Sequence, residues 1–180
     1  MSRQKNKYWK HFKVVTKHKW YVFKECAACG IFWRGVLHDL SKFSPAEFVS
    51  SAKYFQGTRS PISAEKEELG YSCAWLHHKG HNKHHWEYWV DYDSEGKVVP
   101  AKIPAKYIVE MCCDWIGAGK AYTSDEWTPD SMWNYYWKVR PGRHFNQETE
   151  KVTLELMSCL LEHGLDNFHK QCKVLLKTGY

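Results

Sequence analysis

Residues 108–117 read IVEMCCDWIG, a largely apolar stretch that contains Asp114. It follows Pro104, which suits the first position of a helix, so we predict a helix from Pro104 to about Lys120. The apolar residues around Asp114 predict that this helix is buried. A buried carboxylate is costly unless it is paired or bound to a metal ion. Asp114 is therefore the first candidate site residue.

The remainder of the chain also predicts helices. Apolar residues recur at helical spacing over 5–29, and further helices are expected over 31–39, 63–78, 84–89, 129–139 and 147–177, the last broken at Gly164. Ser44-Pro45-Ala46-Glu47 resembles a helix start with a capping box, and that helix should run to about Phe55. Residues 91–103 form a polar loop or a weak hairpin. We predict an all-α helical bundle that spans residues 1–180 as a single domain.

Composition narrows the class of protein. The chain has 180 residues with 43% hydrophobic residues, which suits one domain with a real core. It has no apolar run of 18 residues and no apolar stretch after MSRQKNKYWKHFK, so we expect neither a membrane span nor a secretory signal. Seven cysteines without a secretory signal favour reduced thiols and a cytoplasmic location. Cys26 and Cys29 form a CxxC pair that we interpret as small buried residues rather than a zinc or redox site.

Positive charge is concentrated at the N-terminal end. Residues 1–60 carry 12 Lys and Arg against 3 Asp and Glu. A basic face suits a phosphorylated partner, although a solvated helix face has the same pattern. Nucleic acid is a possible partner that no recognisable motif supports. An oligomer is compatible with the sequence.

Eleven histidines are present, and five of them fall between His77 and His85. Histidines and carboxylates together suit Mn, Fe, Co, Ni, Mg or Zn. Neighbouring residues such as His38 and Asp39 point about 100° apart on an ideal helix, so both reach one ion only near a helix end or if Asp39 bridges two ions. The metal-capable residues occur in a fixed order along the chain: His18, His38-Asp39, the 77–85 histidines and Asp114.

This order, His…His-Asp…His…His…Asp, resembles the HD-domain metal-dependent phosphohydrolases. The resemblance covers residues 18–121 and is closest to a small group of bacterial and phage proteins. It is carried by HKWYVFKECAACGIFWRGVLHDLSKFSPAEF, by AWLHHKGHNKHHWEYW and by IVEMCCDWIGAGKAY, which include the patterns HDxSKFS and HHxxxNxHHW. It implies an HD-like fold and one or two divalent ions.

Carried over residue by residue, the resemblance implies two metal sites. The first would be formed by His18, His38, Asp39 and Asp114, with His11 as the alternative to His18. Asp39 could bridge to a second ion held by His78 and by His84 or His85. On an unbroken helix, His77, His81 and His84 form one stripe, and His78, Asn82 and His85 form the next. We prefer the second stripe, with His84 kept as a candidate.

The implied reaction is hydrolysis of a phosphoester of a nucleotide or cyclic nucleotide by metal-bound hydroxide. Lys42 would hold a phosphate oxygen, and His81 or His84 would protonate the leaving oxygen. Asn82, Trp86 and Lys120 are further candidate substrate contacts. The tryptophans near the ligands suit either base stacking or the core. The alternative function is a non-catalytic, metal-stabilised helical module that binds or sequesters a nucleotide or nucleic acid.

Overall fold

The structure is a computed structural model that describes residues 2–57, 59–123 and 126–180, with side chains from residue 6 onward. It is mostly helical, which confirms the predicted all-α class. In chain order its elements are α1 Ser2–Ala28, α2 Phe32–Leu37, α3 Pro45–Tyr54, α4 Pro61–Leu69, α5 Cys73–His81, β1 Val90–Tyr92, β2 Val98–Pro100, α6 Ala105–Thr123, α7 Pro129–Val139 and α8 Gln147–Thr178. Short 3-10 turns occupy Leu40–Phe43, Trp86–Trp89 and Arg140–Gly142.

The core lies between α1, α6 and α8. Helix α6 is the apolar helix around Asp114, and it packs extensively along α1. A Cβ added at Gly117 would lie 2.9 Å from the backbone nitrogen of Val22, so only glycine allows this close approach of α6 to α1. The packing brings α1 and α6, which carry His18 and Asp114, side by side.

The buried cysteines belong to this core. Cys26 in α1 and Cys29 just after its end are fully buried, which confirms their interpretation as small buried residues. The Sγ atoms of Cys29 and Cys113 are 3.7 Å apart across the α1–α6 interface, and both cysteines are free thiols. They act as compact apolar side chains where two helices come close together.

Two local predictions need correction or refinement, and a third is confirmed. The helix predicted over 63–78 is two helices, because Gly70 takes a left-handed φ of 80° that ends α4 and Ser72 caps α5 by accepting from Trp75 N at 3.0 Å. Residues 90–100 contain a two-stranded antiparallel hairpin, with Asp91 opposite Val99. Gly164 interrupts α8 with a φ of 74°, which confirms the predicted break. Among the described residues, no helix is long and apolar enough to cross a membrane.

Candidate metal centre

Four buried side chains from three parts of the chain meet at one point. His18 comes from α1, His38 and Asp39 follow α2, and Asp114 comes from α6. His18 Nε2 lies 3.1 Å from Asp114 Oδ1 and 3.5 Å from Asp39 Oδ2. His38 Nε2 lies 3.2 Å from Asp39 Oδ2 and 3.4 Å from Asp114 Oδ1. We call these four residues the first donor set.

The spacing of these atoms matches the spacing of ligands around one ion. With metal–ligand bonds of about 2.1 Å, neighbouring ligand atoms are about 3.0 Å apart in octahedral and about 3.4 Å apart in tetrahedral coordination. The four measured distances in the first donor set run from 3.1 to 3.5 Å. Two imidazole nitrogens and two carboxylate oxygens at this spacing could hold a divalent ion.

The backbone around Asp39 explains how adjacent side chains reach one point. Helix α2 ends at Leu37, and His38 is extended with a ψ of 128°. Asp39 then takes the left-handed conformation, with a φ of 52°, and is the only described residue other than glycine with a positive φ. This conformation is disfavoured for side chains other than Gly, Asn and Asp, and such strain clusters at functional sites. Because of this conformation, the His38 and Asp39 side chains do not diverge by roughly 100° as they would on a continuous helix.

A second donor set begins at the other oxygen of Asp39. His78 Nε2 and His84 Nε2 each lie 3.4 Å from Asp39 Oδ1, and His85 Nε2 lies 2.8 Å from His78 Nε2. These four residues form a further group that could hold a metal ion. Asp39 thus offers one oxygen to each donor set, which is the arrangement that a bridging carboxylate requires.

Glu110 orients two of these histidines from behind. Its Oε1 lies 3.1 Å from His38 Nδ1 and 3.4 Å from His84 Nδ1, while Oε2 accepts from Arg34 Nε at 2.5 Å. A carboxylate that accepts from Nδ1 fixes the ring so that Nε2 faces the metal site, which is the usual support for a metal-binding histidine. Glu110 thereby directs both Nε2 atoms towards Asp39.

Glu47 does the same for His78. Its two oxygens lie 2.7 Å from His77 Nδ1 and 2.8 Å from His78 Nδ1. The predicted capping box is therefore wrong: Ser44 is the N-cap residue of α3 but makes no side-chain cap, and Glu47 points away from the backbone into the buried centre. With its Nδ1 held by Glu47, His78 directs its Nε2 towards Asp39 Oδ1 and His85.

Several donor atoms at this centre lack a well-aligned hydrogen bond within the described residues. Buried polar atoms in proteins are normally hydrogen-bonded, so a group of exceptions needs an explanation such as an ion. These atoms are His18 Nε2, His38 Nε2, His84 Nε2, Asp39 Oδ1 and Asp39 Oδ2, the last of which is ion-paired with Lys42 Nζ at 2.6 Å. All five belong to the two donor sets, and this clustering fits a site for divalent ions.

Charges at the centre compensate one another. Burial alone would raise the pKa of Asp39, but the charges of His38 and Lys42 outweigh it and hold this pKa well below its usual range. For Asp114, burial also acts upwards, but the neighbouring His18 and His38 outweigh it and lower the pKa well below its usual value. Both carboxylates are ionised at neutral pH, which is the form that binds metal ions.

The centre opens into a cleft of about 750 Å³. Asp114, His78, His84 and His85 line the cleft, so both donor sets are reachable from it. Cations and aromatic rings form a large part of the remaining lining: Lys42, Lys66, Arg143, Trp75, Trp86, Trp115, Tyr122, Trp127 and Tyr135. A large open cleft beside the donor sets is typical of a ligand site.

The structure leaves two predicted residues outside the centre. His81 is exposed, and its ring stacks on His77 with Nδ1 2.7 Å from the His77 carbonyl oxygen. Lys120 donates to Glu25 at 2.6 Å and does not line the cleft. These two positions are therefore not brought to the donor sets.

The other predicted residues lie at or near the centre. Lys42 Nζ is 2.6 Å from Asp39 Oδ2 and lines the cleft. Asn82 donates to Ser41 Oγ at 2.7 Å and to the His78 carbonyl at 2.8 Å, so its amide fixes the end of α5. Trp86 lines the cleft and packs against Phe145.

The two histidines proposed as alternatives for the first donor set lie in different places. His18 lies beside Asp39 and Asp114, whereas His11 packs between Phe48 and Phe55. Burial lowers the pKa of His11 to about 4, so its ring is neutral there. Of the two, only His18 contributes to a donor set.

Sequence reasoning missed the two supporting carboxylates. Glu110 precedes Asp114 by four residues, a spacing that places both on one face of α6. That spacing was a usable signal, because both acids interrupt an otherwise apolar helix. Glu47 carried no such signal, because its position three residues after Ser44 also fits a capping box.

Fold and site together define an all-α protein with a buried cluster of histidines and carboxylates that could hold a metal ion. The chain belongs to the family of unknown function DUF5662, whose model matches residues 7–158. The matched range includes every residue of both donor sets as well as Glu47 and Glu110. No curated protein and no solved structure matches the chain.

Proposed function

We propose that this chain is a divalent-metal-dependent phosphohydrolase of the HD type that acts on a phosphoester of a nucleotide. The observation that carries the proposal is Asp39, whose two carboxylate oxygens belong to two donor sets at the wall of one open cleft. Paired ions that share a carboxylate are typical of phosphoester hydrolysis. The HD-like arrangement and the choice among Mn, Fe, Co, Ni, Mg and Zn are parts of the same proposal.

The side chains that would hold the ions are already directed by neighbours. The first site would use His18, His38, Asp39 and Asp114, and the second would use Asp39, His78, His84 and His85. Divalent ions bound there would lower the pKa of water and offset the charge of a phosphate. Glu110 and Glu47 would keep the histidine lone pairs directed towards the ions, as outer carboxylates do in other metal sites.

Lys42 is the residue best placed to bind phosphate. Burial alone would lower its pKa, but the charge of Asp39 outweighs burial and raises this pKa, so the ammonium stays charged. Its Nζ lies 2.6 Å from Asp39 Oδ2 and lines the cleft. An ammonium beside the donor sets can bind a non-bridging phosphate oxygen and stabilise charge that develops on it. Lys42 would therefore position the phosphate of the substrate.

The cleft also favours a substrate with an aromatic part. Trp75, Trp86 and Trp115 line it together with Lys42 and Arg143. Tryptophan faces stack on nucleobases, and each stacked base is worth about 1–3 kcal/mol. Rings and cations in one cleft suit a nucleotide better than an inorganic phosphate or a peptide.

The alternative function is a non-catalytic module that sequesters a nucleotide around a structural metal. Structural metal sites are usually closed by protein ligands, whereas catalytic sites keep a position open. Asp114, His84 and His85 line an open cleft, which supports the enzyme. The two functions differ in whether bound substrate is turned over.

The test is a hydrolysis screen in the presence of Mn²⁺ or Co²⁺, with bis(p-nitrophenyl) phosphate and a panel of nucleotides. We expect metal-dependent turnover by the wild type and a fall of more than about a hundredfold for Asp39→Ala, because loss of a supporting residue alone costs 10–100-fold. Asp166→Ala, an exposed change on α8, is the matched control. Equal rates for Asp39→Ala and the wild type would overturn the proposal, and binding without turnover would favour the sequestering module.

A further inference from the structure

Two buried polar side-chain atoms in the cleft are left without hydrogen-bond partners and belong to neither donor set. Arg143 Nη1 and Glu87 Oε2 are buried and have no hydrogen bond within the described part of the chain. Both residues line the same cleft as Asp114 and His84. Because buried polar atoms are normally paired, these two indicate a ligand group that donates to one and accepts from the other.

Aromatic rings hold Arg143 in place. Its guanidinium lies 4.7 Å from the centre of the Trp115 ring, 5.6 Å from that of Tyr135 and 5.9 Å from that of Phe145. Stacking fixes the plane of the guanidinium, and its Nη1 remains available to donate. A guanidinium held in this way is suited to reading a flat ligand with two adjacent acceptors.

Glu87 supplies the complementary acceptor. It lies in the 3-10 turn Trp86–Trp89, next to Trp86 of the cleft wall. Burial raises the pKa of Glu87, and nothing within the described residues donates to its Oε2. A ligand that donates N–H groups to this carboxylate would favour its ionised form. Glu87 therefore indicates a ligand that carries hydrogen-bond donors next to the acceptors that would pair with Arg143.

We propose that Arg143 and Glu87 read the edge of a nucleobase, and that the base they fit best is guanine. Guanine presents O6 and N7 as adjacent acceptors, which an arginine fork pairs with both at once. It also presents N1–H and the 2-amino group as adjacent donors, which match the two oxygens of a carboxylate. This inference rests on the proposed function, because it names the substrate of the same cleft as a guanine nucleotide.

The geometry favours a base over a second phosphate group at this position. A phosphate would find a partner in Arg143 but would place further negative charge beside Glu87. Guanine satisfies both side chains at once and offers its faces to the cleft tryptophans, among them Trp75 and Trp86. Arg143 and Glu87 would then determine specificity, while Asp39 and its neighbours would serve the phosphate.

The test measures nucleoside binding to the full chain by isothermal titration calorimetry, with chelator present so that neither phosphate nor metal contributes. We expect guanosine to bind about tenfold or more tightly than adenosine, in line with the discrimination of one two-pronged contact. Arg143→Lys keeps the charge but loses the fork, and Glu87→Gln replaces an acceptor by a donor. Each should remove the preference for guanosine.

Lys138→Gln is the matched control, because it removes one cation from the exposed part of α7 and should leave the guanosine preference intact. Circular dichroism confirms that each variant is folded. Equal binding of guanosine and adenosine by the wild type, or an unchanged preference in both cleft variants, would overturn the inference. Guanosine preference without hydrolysis of any phosphoester would instead refute only the proposed function, so the two failures are distinguishable.

Discussion

Glu110→Gln tests most directly whether the supporting carboxylates, Glu110 and Glu47, orient the histidines of the donor sets. Burial alone would raise the pKa of Glu110, but hydrogen bonds from His38 and His84 outweigh it and lower the pKa to about 2, so the group is ionised at neutral pH. Its two oxygens serve these histidines on one side and Arg34 on the other. Glutamine keeps the shape but has only one oxygen, so its amide group must face N–H donors on one of the two sides.

The expected magnitude follows from these contacts. Loss of one charged hydrogen bond should lower the free energy of unfolding of the metal-free chain by about 1.5–3 kcal/mol, the range for hydrogen bonds to charged groups. Loss of histidine orientation should weaken metal binding by about 10–100-fold. Because metal binds only the folded chain, the stability difference should grow when Mn²⁺ is added at a fixed concentration.

Urea unfolding followed by circular dichroism, with and without Mn²⁺, measures the first quantity, and calorimetric titration of Mn²⁺ measures the second. Glu155→Gln, an exposed change on α8, is the control and should stay within about 0.5 kcal/mol of the wild type. If Glu110→Gln is folded and binds Mn²⁺ within twofold of the wild type, Glu110 does not orient the histidines.

Three further outcomes follow from the packing and the charges. Gly117→Ala should lower the free energy of unfolding by about 1–3 kcal/mol, because the new Cβ would press on the backbone of Val22. Gly80→Ala is the control, because its Cβ would meet open space and the change should be neutral or stabilising. Similar urea midpoints for both variants would contradict the packing. The Glu25 hydrogen bond raises the pKa of His169, so its stabilisation is present below pH 6.5 and is lost as the pH rises through the raised value. His169→Gln should therefore cost about 1.5 kcal/mol at pH 6 and less at pH 9, and an equal cost at both would refute the charge pairing. Removal of metal by chelator should lower the melting temperature of the metal-loaded wild type, and an unchanged temperature would argue against bound ions.

The fold was largely predictable because helix signals are local. The apolar run around Asp114 and the glycine at 164 each indicated their helix or break from neighbouring residues alone. Gly70 was overlooked as a helix end, so 63–78 was treated as one helix rather than two. Gly70 is exposed with open space around it, so its left-handed φ is the ordinary glycine end of a helix and was a usable local signal.

The candidate site was only partly predictable because it is built from distant segments. The order of His18, His38, Asp39 and Asp114 suggested a shared centre only through resemblance to a family, since no local pattern brings α1 and α6 together. The prediction that His78, Asn82 and His85 lie on one face requires a continuous helix over residues 77–85, but α5 ends at His81. The chain after it turns, so His84 and His85 both reach the centre although they would diverge on a helix.

Metal stoichiometry tests the central claim most directly. The purified chain is loaded with Mn²⁺, freed of excess by dialysis and analysed by plasma mass spectrometry. We expect two ions per wild-type chain, about one for Asp114→Asn, which alters only the first donor set, and none for Asp39→Ala, which removes the carboxylate that both sets share. A wild type without bound metal, or Asp39→Ala with both ions retained, would contradict the account.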